Sequence, residues 1–277
     1  MLTDRYDNPI STSSAAARDL YVTAVDKLLE GAPRITEAIE AVVAEDPGFV
    51  LGRAGLARAH HATGNVAKAR EIIGEVRATA NGITDREAGH IKVFDLLANG
   101  KTKEGFAAVV NHVTAYPRDC LVAQTSTGIF GLIGFSGLPG REAEMLAFTS
   151  ALKPHYGDDW WYLNQYAFAL CETGQVDKAD TVIDRSLALN PRNSHGAHVR
   201  SHIYYEAGET QLGLSYISDW LEDYDRSAVM HGHLSWHAAL WALQLGQTDE
   251  MWRRVDADVK PGAALGMPIN ILSDTAS

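Results

Sequence analysis

Two cysteines, Cys120 and Cys171, are all that the 277 residues contain, and no second cysteine lies near either of them. That excludes a disulfide framework, a thiolate metal cluster and a C-x-x-C redox pair, and leaves both thiols to be read as small buried hydrophobes. No stretch approaches the ~18 consecutive apolar residues of a membrane span. Residues 1 to 14 are polar, with Asp4 and Asp7 and neither a basic nor an apolar leader region, so a cytoplasmic location is expected and a membrane partner is not. Clusters of Lys and Arg are missing too. With 24 basic against 35 acidic residues the net charge is −11, which disfavours a nucleic-acid partner, because phosphate backbones are bound by local excesses of positive charge. Strand patterning and runs of low complexity are scarce. The one biased patch, Gly131-Leu-Ile-Gly134-Phe-Ser-Gly137-Leu-Pro-Gly140, follows no strand and has no P-loop lysine, so it reads as a widened turn between helices.

What the chain has in quantity is glycine at regular steps. Gly31, Gly64, Gly100, Gly137, Gly174, Gly208 and Gly246 are separated by 33, 36, 37, 37, 34 and 38 residues. A period in the mid-thirties marks stacked helix-turn-helix units, none of which can bury its apolar face alone. The unit Leu163 to Pro191 shows the pattern best: Ala167 lies 7 residues before Gly174, Ala179 lies 5 after it, and Pro191 closes the unit 17 after it. Gly64 has Ala57 and Ala69 at the same offsets, and Gly100 has Gly105 and Pro117. Small residues admit close helix approach, and proline stops the second helix. The fold class that follows is all-α: an α-solenoid of about seven tetratricopeptide-like repeats forming one domain over 1–277, with 261–277 as a partial cap or the start of a further repeat. An apolar fraction of 46% with 21% charged residues fits a folded chain, not a disordered one.

Helices are expected from Ser13 or Ser14 to about Leu29, from Pro33 to Asp46, and over Leu51–Thr63, Val66–Thr79, Arg86–Asn99, Thr102–Ala115, Leu121–Ile133, Arg141–Leu152, Trp160–Thr173, Val176–Leu189, Ser194–Ala207, Gln211–Tyr224, Gly232–Leu245 and Asp249–Val259. Thr84 and Glu87 have capping-box spacing at the start of one of these, and Arg86 and His90 follow one turn apart as further candidates for a binding site.

The histidines carry the most suggestive chemistry. Six of the 11 fall between His195 and His237, and four form two i,i+4 pairs, His198 with His202 and His233 with His237. Four steps of a helix leave side chains about 40° apart, one turn above the other, which is the geometry of a two-histidine metal clamp. The pairs are 35 residues apart, so they fall on the first helices of consecutive units, which in this architecture line a concave groove side by side. Three readings stay open: the four imidazoles are ligands to a divalent metal ion; with Trp236 they line a metal-free polar groove for a small molecule or peptide; or they are hydrogen-bonded packing beside Trp220, Trp236 and Trp241. The glutamate of an H-E-x-x-H clamp is absent, since Val199 and Leu234 follow the first histidine of each pair. The functional expectation is a binding protein whose groove recognises a small molecule or peptide at His198, His202, His233, His237 and Trp236, with Arg86 and His90. The alternative is an enzyme whose paired histidines hold a metal that activates water or dioxygen.

The strings His198-Val-Arg-Ser-His202 and His233-Leu-Ser-Trp236-His237-Ala-Ala-Leu240, with Thr84-Asp-Arg-Glu87 and His90, and Leu187-Ala-Leu-Asn-Pro191, resemble the tetratricopeptide repeat protein 38 family. The resemblance runs from Ser11-Thr-Ser-Ser14 to Ser273-Asp274. It implies a right-handed all-helical superhelix of divergent repeats and carries no settled activity with it. An acid that family members often place three residues after the second histidine of the first string is Tyr205 here, with Glu206 next, and one residue turns a side chain by about 100°. Finally, the apolar segment Ala263-Ala-Leu-Gly-Met-Pro-Ile-Asn-Ile-Leu272 is expected to fold back over the last unit or to pack against a second copy in a homodimer.

Overall fold

The computed structural model describes residues 1–128 and 130–277. Its helices are α1 (Ala15–Glu30), α2 (Ile35–Glu45), α3 (Val50–Ala62), α4 (Val66–Thr79), α5 (Asp85–Ala98), α6 (Thr102–Ala115), α7 (Cys120–Gln124), α8 (Arg141–Tyr156), α9 (Trp160–Glu172), α10 (Val176–Leu189), α11 (Ser194–Glu206), α12 (Thr210–Glu222), α13 (His231–Gln244), α14 (Thr248–Arg254) and α15 (Pro268–Ala276). Among the described residues there is no strand, only two isolated bridges, Thr3 with Pro9 and Pro261 with Ala264. The fold is therefore an all-α solenoid in which α3 packs on α4, α5 on α6, α9 on α10, α11 on α12 and α13 on α14, followed by α15. No described helix is long and apolar enough to cross a membrane.

The repeating glycines are where the sequence predicts the breaks. All seven take positive φ, between 69° and 86°, so each stops a helix in the left-handed conformation that a Cβ disfavours. At the other ends, Ser14 Oγ accepts from the Ala17 N–H at 3.1 Å, Asn65 from Lys68, and Asp159 from Tyr162, while Thr84 and Glu87 form the complete capping box.

Three helix boundaries depart from the sequence expectation. The helix expected over Leu121–Ile133 ends at Gln124; Ile129 within it lies outside the described residues. Hydroxyls end it: Thr125 Oγ1 donates to the Val122 carbonyl at 2.7 Å and Thr127 Oγ1 to Gln124 at 3.2 Å, drawing those carbonyls into local turns, and Gly128 at φ 82° turns the chain away. A 3₁₀ turn, Gly134–Ser136, follows in the glycine-rich patch. The helix expected to end at Leu152 runs on to Tyr156, through Pro154. The one expected over Asp249–Val259 is α-helical to Arg254 and then widens into a π-turn, Val255–Val259, closed by the Lys260 N–H on the Val255 carbonyl.

The helices gather into two compact units, residues 1–29 with 35–157, and residues 30–34 with 158–277. In the first, α2, α3 and α4 pack Ile39, Val42, Leu51, Ala57, Ala69 and Ile73 into a closed interior. In the second, Ala197, Leu214, Ile217, Leu234, Ala238, Trp241 and Ala242 form a core across α11, α12 and α13. Gly213 admits Trp241: a Cβ there would lie 2.5 Å from the indole Cζ2. Both cysteines are buried, and burial beside Glu172 and Glu206 pushes the Cys171 thiol up to about 12, far from thiolate chemistry.

Candidate functional site

Helix α11 presents His198 and His202 from one face because four residues make just over a turn, and α13 does the same with His233 and His237. Helices α11 and α13 flank each other in the second unit, as first helices of consecutive pairs do. The four rings converge. Centroid separations are 4.5 Å for His198–His202, 4.7 Å for His198–His233, and 5.0 to 5.1 Å from His237 to each of the other three. Nε2 of His198 lies 2.9 Å from Nε2 of His202 and 3.0 Å from Nε2 of His233. Ring nitrogens of His198, His202 and His237 all fall within 4.8 Å of one another.

Behind two of the rings stand carboxylates. Asp274 Oδ2 on α15 is 2.9 Å from His233 Nδ1, and Glu172 Oε1 on α9 is 3.3 Å from His202 Nδ1. With its proton on Nδ1, either ring donates to the carboxylate behind it and directs the Nε2 lone pair inward. Burial, with the neighbouring imidazoles adding to it, holds His198 and His237 well below the ordinary histidine range. Both are neutral at pH 7, the state in which imidazole binds a metal. Aromatic walls complete the pocket: Phe168 stacks on His198 and meets His202 edge-on, and Trp236 stacks on His233 at 5.2 Å and 19° and meets His237 edge-on. Neither His237 Nε2 nor Trp236 Nε1, both buried, meets a hydrogen-bond partner among the described residues.

The other two candidates, Arg86 and His90, belong to the first unit. Their partner there is the buried carboxylate of Asp119, which sequence reasoning did not single out. Arg86 Nη1 reaches Asp119 Oδ2 at 3.0 Å, His90 Nδ1 lies 3.1 Å from both Asp119 oxygens, and His112 Nε2 lies 2.9 Å from Oδ2. Burial pushes the Asp119 carboxyl up, but His90, His112 and Arg86 outweigh it and hold the group well below the usual carboxylate range. Arg86 also donates to the Pro9 carbonyl, and the Ser11 N–H donates to buried Glu87, so this network fastens the segment before α1. Glu172 and Asp274 also escaped the sequence reading. They lie 30 residues before His202 and 41 after His233, and neither forms a helical pair with the histidine it orients. The only local trace was the phase of the histidine pairs themselves.

In fold the helices resemble those of solved tetratricopeptide-repeat structures. No protein-family model matches the chain. Among solved structures, the chain is similar to the one described as the APC/C hetero-tetramer Cut9–Hcn1, with a TM-score of 0.65 at 10% identity over 86% of this chain, and spans 45% of the length of that one. It is also similar to a tetratricopeptide repeat protein from Parabacteroides merdae ATCC 43184, with a TM-score of 0.56 at 10% identity over 95% of this chain and 98% of that one. At such identity the likeness is one of fold alone.

Proposed function

We propose that this chain is a single tetratricopeptide-like scaffold of the repeat protein 38 family whose histidine centre binds a divalent transition-metal ion through His198, His202, His233 and His237. One observation carries the reading: two Nε2 atoms lie within 3.0 Å of His198 Nε2. A neutral ring nitrogen has one in-plane hydrogen or one in-plane lone pair, so His198 Nε2 can meet both neighbours only by sharing that one hydrogen or lone pair between them. A cation among the lone pairs removes the need to share. Two nitrogens held at 90° around an ion at about 2.1 Å are about 3.0 Å apart, and at a tetrahedral angle about 3.4 Å, so the rings need move little for either. The carboxylates behind His202 and His233 supply the orienting outer shell that bound histidines have in metal sites. Imidazole ligands without cysteine fit Zn²⁺, Ni²⁺, Cu²⁺ or Co²⁺ in preference to Ca²⁺ or Mg²⁺. The side chains of His202 and His233 keep 24% and 15% of their exposure, an edge at which water or a small molecule can reach the ion, as metal-assisted chemistry requires.

A second reading rests on Trp236 Nε1 and His237 Nε2, which meet no hydrogen-bond partner among the described residues: without a metal these are a donor and a ring nitrogen ready for a polar small molecule or a peptide amide in the groove. Titration of tag-free, chelator-stripped protein with Zn²⁺ by calorimetry, and with Co²⁺ by visible absorption, separates the two. The expected result is one ion per chain, lost in His198→Ala. Absence of heat and of a Co²⁺ ligand-field band removes the metal reading and leaves the groove reading.

A further inference from the structure

Helix α15 is held in an unusual way. Of its three large apolar side chains, Ile269 and Leu272 are 47% and 56% exposed and Ile271 is half-buried, and its one buried residue is an acid, Asp274. Nine residues of isolated helix are marginal in water, and this one has little apolar burial against α13 to compensate. It is joined to the π-turn by Pro261 to Met267, where Gly262 and Gly266 take φ of 90° and 130°, conformations open to glycine. Its buried acid ties it to α13 through the bond between Asp274 Oδ2 and His233 Nδ1.

That bond depends on where His233 carries its proton. Its Nε2 faces His198 Nε2 at 3.0 Å and its Nδ1 faces Asp274 at 2.9 Å. In the neutral ring one proton serves two acceptors. On Nε2 it can be given to His198, which leaves an unprotonated Nδ1 against a carboxylate; on Nδ1 it is given to Asp274. A cation on Nε2 takes that lone pair, leaves the proton on Nδ1, and draws charge from the ring, which strengthens Nδ1–H as a donor to the carboxylate.

From this, and resting on the metal reading above, we infer that α15 is a metal-responsive latch: an ion at the histidine centre tightens Asp274 onto His233 and holds 268–276 against α13, and docking of α15 raises affinity for the ion. The two effects are one coupling free energy seen from its two ends, so they have the same size. Loss of an outer-shell carboxylate lowers metal affinity by about 10- to 100-fold, which sets the expected effect.

Hydrogen exchange across 263–277, read with and without Zn²⁺ on the intact chain, tests the latch together with Zn²⁺ calorimetry. In the parent protein Zn²⁺ slows exchange of 268–276 several-fold. In Asp274→Ala that protection is lost and affinity falls about 10- to 100-fold. Glu172→Ala is the control: affinity falls, but at saturating Zn²⁺ the protection of 268–276 returns, because Asp274 is intact. Circular dichroism checks that both variants are folded, and Asp274→Asn, which keeps the shape and a weaker acceptor, is expected between Asp274→Ala and the parent. Parent-like Zn²⁺ affinity in Asp274→Ala with unchanged exchange at 268–276 overturns the latch and leaves the metal centre standing. Failure of the parent protein to take up Zn²⁺ overturns both.

Discussion

His198 and His237 are neutral because they are buried, and burial has a pH signature. In the unfolded chain both titrate near the ordinary histidine value of about 6.5, and in the folded chain well below it. Below that pH the unfolded chain therefore binds protons that the folded chain does not, so stability is full above about pH 6.5 and is lost as pH falls. Each imidazole contributes about 1.4 kcal/mol per pH unit, about 2.7 for the two together. Urea unfolding of the metal-free protein at pH 7.5, 6.5 and 5.5 is expected to show this slope, and His198→Phe with His237→Phe to flatten it. A slope equal in parent and variant would mean that the imidazoles are accessible to protons in the folded state. At Asp119 it is the charged form that the fold favours. Its carboxylate is held ionised by Arg86, His90 and His112, and Asp119→Ala leaves the guanidinium buried without it. A loss of about 3–5 kcal/mol is expected in denaturant unfolding at pH 7, since breaking one side of a buried charge cluster strands the other.

Helices α4 and α12 each carry an interior glycine, and the two glycines respond to alanine in opposite directions. At Gly74 an added Cβ meets nothing within 4 Å, so only helix propensity acts, and Gly74→Ala is expected to stabilise by about 0.5–1 kcal/mol. At Gly213 the same methyl would lie 2.5 to 2.8 Å from three atoms of the Trp241 indole, which is 2% exposed and wedged in the core. Overpacking of about 1–3 kcal/mol there exceeds the propensity gain, and Gly213→Ala is expected to lower the melting temperature. Measured in parallel, equal shifts for both would show that the α12–α13 contact is looser than described. Helix periodicity made such elements readable: glycine phase, capping residues and apolar spacing are local. The end of α7 was not readable in the same way, because Leu121-Val-Ala is a good helix start and the stop comes from the Thr125 and Thr127 hydroxyls returning to carbonyls behind them.

In a solenoid each pair packs only on its neighbours, so stability is a sum of local terms and a ligand that bridges pairs adds to that sum. The histidine centre draws on α11 and α13 for its rings and on α9 and α15 for its carboxylates. Zn²⁺ held there at one hundred times its dissociation constant is expected to stabilise the folded chain by about 2.7 kcal/mol, seen as a rise in melting temperature that EDTA reverses. His198→Ala is expected to abolish the rise. A melting temperature indifferent to Zn²⁺ in the parent protein would mean that no ion bridges these helices.

The repeat, the all-helical class and the pairing of His198 with His202 and His233 with His237 were legible in one dimension because each depends on separations of a few residues or on a fixed period. Glycine at every break answers a backbone requirement, and i,i+4 spacing places two rings on one face whatever else the chain does. The partners of those rings were not legible. Glu172, Asp274, Asp119 and His112 come from residues whose positions beside the candidates follow from how helices stack, and stacking depends on side-chain packing at Gly213 against Trp241 and on hydroxyl-terminated turns, not on any period. Arg86 and His90 show the difference most plainly: one turn apart on α5, they looked like part of a binding face, and in the folded chain both point at one buried carboxylate that the chain brings from 29 residues beyond His90.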